Sequence, residues 1–281
     1  MPRLLTMLKS SVHFSLVFKK MGYRVRNTLV RLKRSFIIHI GYRVFSIFKI
    51  LSDIELNILI NTKTFQGDGI ITSNFLPINY DPSLSESFDN TFDNLPEDQL
   101  RLKKIIWRAH IVTASAHFVS KIKGDFVELG VNWGILAHTI SSQSKLLENR
   151  NFFLVDAFGL PGFSMKGQHK IHSYREDIYA EVKLRFEFEP RVKLIRGVIP
   201  QVLSLLPSKE IAFLLVDLNH GLPERQSLEY LWERIQPGGI VYFDDYGQDF
   251  PELRVEIDSF LQYKNEKLLI FPTGQAILIK Q

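Results

Sequence analysis

Short apolar runs, each separated by a segment of helix length, dominate the second half of the chain. They are Asp125–Leu129 (DFVEL), Asn151–Val155 (NFFLV), Val192–Ile195 (VKLI), Ile211–Val216 (IAFLLV) and Gly239–Phe243 (GIVYF). A strand that is apolar on both faces belongs inside a sheet covered on both sides, and strands that alternate with helices pair in parallel. Two further runs, Lys267–Phe271 and Gln275–Ile279, are joined only by Pro272, Thr273 and Gly274. So short a connection cannot hold a crossover helix, and these two strands form an antiparallel hairpin at one sheet edge. The pattern therefore predicts an α/β fold: a doubly wound, mostly parallel sheet of seven strands with a C-terminal antiparallel hairpin. Upstream of the sheet, Glu97 and Asp98 place carboxylates in the first turn of a helix after Pro96. Its apolar positions run through Trp107, Ile111, Ala114 and Phe118.

The first hundred residues read differently. Residues 1–50 hold eleven Lys or Arg and no Asp or Glu, which leaves 24 basic against 30 acidic residues in the remainder. The formal charge of +5 thus belongs to the N-terminus. Lys19, Lys20, Arg43 and Lys49 interrupt every apolar stretch there before it reaches the ~20 residues a membrane-spanning helix needs. The stretch SSVHFSLVF is too polar for a signal-peptide core, so an uncleaved, cytoplasmic chain is expected. Residues 1–60 form a basic amphipathic extension with two readings. Phe36, Ile37, Ile38, Val44, Phe45, Ile47 and Phe48 among basic residues suit helices lying on the anionic inner face of a membrane. They equally suit a helical extension packed on the main domain. Nucleic acid is disfavoured, because the aromatics fall in no RNA-reading motif. Residues 61–99 are rich in Asp, Asn, Ser, Gly and Pro and read as an irregular linker or lobe. Residues 100–281 then form one catalytic-size domain. With 45% apolar residues the chain can build a large core, and with no cysteine it has neither disulfides, thiolate zinc sites nor a Cys nucleophile.

Ligands of doubly wound sheets bind beyond the carboxyl ends of the strands, so the residues that end each strand carry the candidate chemistry. The first strand ends in Glu128-Leu129-Gly130-Val131-Asn132-Trp133-Gly134, a glycine-bearing turn into a helix. Gly130 can take a positive φ and let a ligand approach, or serve only a tight strand-to-helix turn. The spacing departs from the G-x-G-x-x-G pattern that wraps a pyrophosphate. The second strand ends at Asp156, where a carboxylate accepts the two hydroxyls of a ribose or caps a turn. A nucleoside without a pyrophosphate, beside Glu128, suits S-adenosyl-L-methionine better than NAD. The fourth strand ends Asp217-Leu218-Asn219-His220 and the fifth Asp244-Asp245-Tyr246-Gly247. Adjacent parallel strands bring Asp217 to Asp244 and Asp245, and three carboxylates so placed call for a counter-charge. Mg²⁺, with its preference for oxygen ligands, supplies one. The alternative is that Asp244 and Asp245 only cap the loop.

The segments VELGVNWG, LVDAFGLPG, LLVDLNHGLPE, PGGIVYFDDYG and PTGQAILIK, in this order, resemble class I S-adenosylmethionine-dependent O-methyltransferases. They are most similar to the macrocin O-methyltransferase family, which acts on sugar hydroxyls of macrolides and related glycosides. The resemblance covers about residues 100–281. It implies a Rossmann-like methyltransferase fold, cofactor contacts at Glu128, Gly130, Gly134 and Asp156, and Mg²⁺ held by Asp217, Asp244 and Asp245. Gly197 resembles a position beside the adenine. The segment Phe158–Tyr174, with His169 and His172, corresponds to a region that folds over cofactor and substrate in the family.

One departure from the family bears on catalysis. Its fourth-strand motif is Asp-x-Asp, the second carboxylate being the proposed base, whereas this chain has Asn219, which cannot take the proton. An imidazole accepts a proton near neutrality, which makes His220 the candidate catalytic residue beside Asp217. A lid histidine, or the metal alone, are the other routes. His110 and His117, on one helix, pack or face solvent. The implied activity is O-methyl transfer to a hydroxyl of a sugar or glycosylated small molecule. A catalytically silent cofactor-binding subunit, tethered to a membrane complex by residues 1–60, is the competing hypothesis. Amino-group methylation is disfavoured because Asp217-Leu218-Asn219-His220 lacks the paired prolines such enzymes carry. The partners expected are a small-molecule or glycan hydroxyl acceptor and an anionic membrane surface, and a homo-oligomer is compatible with the sequence.

Overall fold

The computed structural model describes residues 81–143, 145–160, 177–247 and 251–281. The chain divides into two compact units, Met1–Asn74 and Phe75–Gln281, and the described residues belong to the second. The readings made for residues 1–60, and for His169 and His172, lie outside the described residues.

In chain order the elements are α1 (Pro82–Asn90), a 3-10 helix (Glu97–Ile105), α2 (Ile106–Phe118), β1 (Asp125–Leu129), α3 (Ile135–Ser141), β2 (Phe152–Asp156), α4 (Tyr179–Arg185) and β3 (Val192–Arg196). A 3-10 turn (Gln201–Leu205), β4 (Ile211–Val216), α5 (Gly221–Leu231), β5 (Ile235–Phe243), α6 (Pro251–Leu261), β6 (Leu268–Ile270) and β7 (Ala276–Ile279) complete it. The seven strands lie in the order β3-β2-β1-β4-β5-β7-β6. The first five are parallel, and β7 runs antiparallel to both β5 and β6. This is the doubly wound sheet with its antiparallel hairpin at the edge that the apolar runs predicted.

Alternation along each strand divides the interior into two layers, because successive side chains point to opposite faces. Phe126, Phe152, Leu154, Phe213, Leu215, Ile240 and Tyr242 share one buried cluster with Leu84 and Phe88 of α1, Ala109, Val112 and Ala116 of α2, and Ile140 of α3. Val127, Leu129, Phe153, Val155, Leu214, Val216, Val241 and Phe243 share the other with Leu228 and Leu231 of α5 and Leu253 and Ile257 of α6. Fully burying one such side chain stabilises by about 1.5–3 kcal/mol, so these two layers carry the domain.

Two local details differ from the expected pattern. The segment rich in turn residues contains α1, because Asp81 and Pro82 begin a helix rather than a turn. The Asp81 carboxylate accepts from the Leu84 amide at 3.0 Å, and Pro82 occupies the first helical turn, where its missing N–H costs nothing. Of the expected positions on α2, Ile111 is buried and Trp107 packs against the core, alongside Ala109, Val112 and Ala116, whereas Phe118 is 76% exposed. The expected apolar position at Phe118 is corrected: the buried face ends instead at the C-cap residue, Val119.

Polar bonds fasten α1 to α3. The Gln143 amide donates to the Ser87 hydroxyl (2.6 Å) and to the Ser83 carbonyl (3.1 Å), while the Ser83 hydroxyl donates to Gln143 Oε1 (2.7 Å). Thr91 Oγ1 lies 3.0 Å from His138 Nδ1, and the His138 ring packs beside Phe186 and Phe188. Burial, reinforced by the Arg185 charge, lowers the His138 pKa from 6.5 to about 4. The unfolded chain thus binds a proton near pH 6.5 that the folded chain refuses, and stability falls as pH drops from 6.5 towards 4. The full effect is roughly 3 kcal/mol. Urea unfolding of the His138→Asn variant at pH 7 and pH 4.5 should show a much smaller acid loss than the parent; equal losses would assign the acid sensitivity elsewhere.

Candidate active site

Parity along the strands decides where the acidic side chains go. Leu154, Phe126, Leu215 and Tyr242 all face the α2 layer. Two residues further on, at the carboxyl ends of the same four strands, stand Asp156, Glu128, Asp217 and Asp244. β1 lies between β2 and β4, where the winding of the sheet reverses. Such reversal points open the crevice in which ligands of these sheets bind.

Asp217, Asp244 and Asp245 meet at one end of this crevice. One carboxylate oxygen from each lies within 4.8 Å of the others. The reason is registry: β4 and β5 pair in parallel with Val216 opposite Phe243, so both chains leave the sheet side by side. Asp244 is 2% exposed, and both its oxygens are engaged. The Tyr242 hydroxyl donates to Oδ1 at 2.8 Å, and Arg108 Nη1, from α2, donates to Oδ2. The same Nη1 lies 3.2 Å from Asp245 Oδ1. Gln275, at the start of β7, donates to the Asp244 carbonyl at 3.0 Å, and the Gly247 amide to the Gly274 carbonyl at 2.7 Å. The terminal hairpin thereby props the Asp244–Gly247 turn.

Repulsion and burial act together on these groups. Burial, then Asp244 and Asp245, push the Asp217 pKa well above the carboxylate range, against the pull of Arg108. Asp245 is raised to about 6 by burial and Asp244. Burial raises Asp244 as well, with Arg108 and Tyr242 opposing. Against its own burial, Asp244, Asp245 and Asp217 hold the Arg108 guanidinium above its ordinary value. The donor set fits a hard divalent ion: three carboxylate oxygens converge with too few cations around them.

Across the crevice, Glu128 is 2% exposed and its Oε2 has no hydrogen-bond partner among the described residues. Burial, then Asp156 and Asp244, raise its pKa well above the usual value. A buried acceptor left unpaired costs about 1–3 kcal/mol, and a cationic or N–H-bearing group would satisfy it. Asp156 has partners in plenty. Its Oδ2 accepts the Val131 and Asn132 amides (2.6 and 2.9 Å) and its Oδ1 the Phe158 amide (2.6 Å). It ties the turn after β1 to the chain after β2, which is the capping role the sequence left open.

Gly130 has φ +82°, and a Cβ there would collide with the Asp217 carbonyl oxygen. The close approach that demands glycine is therefore the β4 backbone itself. Gly134, in the left-handed region at the start of α3, leaves room for the Phe186 ring. Gly197, whose amide donates to the Asp156 carbonyl at 2.9 Å, lies against Val202.

Asn219 has φ +57° and donates from its side-chain amide to Asp217 Oδ1 at 3.3 Å. His220 precedes α5, and its Nε2 is buried with no partner among the described residues. Two residues escaped the sequence reading. Arg108 stands between Trp107 and Ala109 on a buried helix face, and a basic residue there is the only signal of it. Glu224, on α5, is 2% exposed and accepts the Leu218 amide at 3.2 Å; burial raises its pKa to about 8, against backbone bonds from Leu218 and Asn219. It fixes the loop that presents Asp217.

The model of the macrocin O-methyltransferase (TylF) family matches residues 109–270, more than half of the chain. No curated protein matches it significantly in sequence. Among solved structures, the O-methyltransferase NovP superposes with a TM-score of 0.58 at 16% identity, covering 74% of this chain and all (100%) of NovP. The calicheamicin methyltransferase CalS11 gives 0.53 at 18% identity over 77% of this chain and 99% of its own. The methyltransferase PaMTH1 of Podospora anserina, bound to SAH, gives 0.50 at 13% over 76% of this chain and 100% of its own. At such identities the likeness is one of fold. The family match, on a sheet with acids at its switch point, makes this chain a member of the macrocin O-methyltransferase family and an S-adenosylmethionine-dependent O-methyltransferase.

Proposed function

We propose that the chain transfers the methyl group of S-adenosylmethionine to a hydroxyl of a sugar or a glycosylated small molecule, with Mg²⁺ held by Asp217, Asp244 and Asp245. The observation that carries this reading is the convergence of those three carboxylates within 4.8 Å at the ends of β4 and β5. The family match favours a sugar-bearing acceptor. Methyl transfer from a sulfonium is an in-line displacement, so alignment of donor and acceptor supplies much of the rate.

The chain's residues divide the work. Glu128, with its unpaired buried Oε2, receives the ammonium of the methionine end beside the Gly130–Gly134 turn. Asp156 Oδ1 accepts one backbone amide, which leaves it capacity for a ribose hydroxyl, and Gly197 follows at the end of β3. When bound, Mg²⁺ would orient vicinal hydroxyls and lower the pKa of the attacking one. Asn219 holds Asp217 in place and takes no proton. The proton passes to His220, whose Nε2 is buried and free to accept among the described residues.

No helix among the described residues is long and apolar enough to cross a membrane.

Asp217→Ala should cut metal-dependent turnover by at least about a hundredfold while S-adenosylhomocysteine affinity, measured by calorimetry, stays within a few-fold. Unchanged turnover would remove the metal from the reaction. His220→Asn should lower kcat by about 10²–10⁴ with cofactor affinity intact; a variant that turns over at the parent rate would send the proton to a different acceptor.

A further inference from the structure

Arg108 stands just outside the residues matched by the family model, 109–270. It nevertheless reaches the centre of the carboxylate cluster. A single nitrogen, Nη1, contacts Asp244 Oδ2 and lies 3.2 Å from Asp245 Oδ1. That is the place an ion held by Asp244 and Asp245 would compete for, the other oxygen of Asp244 being bonded by the Tyr242 hydroxyl at 2.8 Å. A guanidinium and a divalent cation cannot share it: both need the same oxygens, and like charges repel.

We infer that Arg108 is the resident counter-ion of this site, which neutralises part of the cluster when no metal is bound and must swing aside for a divalent cation to enter. The inference rests on the metal reading above. The helix that carries Arg108 is fixed, with Ala109, Val112 and Ala116 wholly buried. The arginine side chain is not, for a quarter of it (25%) is exposed. A long side chain anchored on a rigid helix can change partners without disturbing the core. The metal's apparent affinity is then its intrinsic affinity reduced by the fraction of molecules in which Arg108 occupies the carboxylates. This arrangement keeps the buried acids paired at low metal concentration, where unpaired carboxylates would be strongly destabilising.

The experiment titrates Mn²⁺ into the full chain and follows free ion by electron paramagnetic resonance, with folding checked by circular dichroism and S-adenosylhomocysteine affinity measured separately. The parent should bind one Mn²⁺ weakly, and Arg108→Gln should bind it at least tenfold more tightly. Adding Asp217→Asn to that variant should remove the gain. Arg108→Lys, which keeps the charge but loses the planar group, should fall between, and it decides the question alone if Arg108→Gln fails to fold. Equal or weaker Mn²⁺ affinity in the folded variants overturns the inference and leaves the metal reading standing. No Mn²⁺ uptake by parent or variants overturns both, while retained S-adenosylhomocysteine binding would still support methyl transfer.

Discussion

Negative charge crowded onto one side of the sheet is the constraint around which this domain is organised. Parity sends Asp156, Glu128, Asp217 and Asp244 to the α2 layer, at the ends of the four strands β2, β1, β4 and β5. Asp245 follows from the same turn. Buried carboxylates are tolerated only where hydrogen bonds or cations offset their lost hydration. Asp156, half-buried, is met by backbone amides, and buried Asp244 by Tyr242 and Arg108. Glu128 and Asp217 are left poorly compensated, and their raised pKa values record it. A domain held by two thick apolar layers can carry that cost, and the outcome is a crevice lined by carboxylates at the switch point of the sheet.

Much of this was legible in the amino-acid order because strands buried on both faces leave uninterrupted apolar runs. β1 and β4 coincide with DFVEL and IAFLLV, and the short link at Pro272–Gly274 forced the hairpin. The acids were visible because each stands where an apolar run stops. Registry then did what adjacency of β4 and β5 implied, and brought Asp217 to Asp244 and Asp245. What was not legible depends on side chains crossing between elements. Arg108 lies 136 residues from Asp244, and nothing local distinguishes it from a solvated helix arginine. Glu224 looks like a helix-surface acid until α5 packs under the loop it holds. Residues with two uses were also hard to read. Asp81-Pro82 signals a turn and a helix start equally, and at Gly130, where the sequence allowed either room for a ligand or a tight turn, a Cβ would meet the Asp217 carbonyl.

The acids of the site also hold its loops in place. Asp156 gathers three amides from the loops after β1 and β2, and Glu224 holds the Leu218 amide of the loop after β4. Loops already fixed by carboxylates do not need to be ordered when ligand binds, so the energy of binding goes into alignment of the reacting groups.

The same economy of charge explains Asn219. Its backbone is left-handed, φ +57°, a conformation that Asn and Asp both accept more readily than other side chains. Backbone geometry therefore does not choose between them, and electrostatics must. An Asp at 219 would add another carboxylate beside Asp217, in a cluster where Arg108 alone among the described residues makes ion pairs. It would also lack a donor for Asp217 Oδ1, which the Asn219 amide supplies at 3.3 Å. Asn at 219 thus adds a hydrogen-bond donor to Asp217 Oδ1 where Asp would add a further negative charge. The next residue, His220, carries a buried Nε2 with no partner among the described residues, so one step along the chain separates a polar group that is bonded within the cluster from one left unsatisfied.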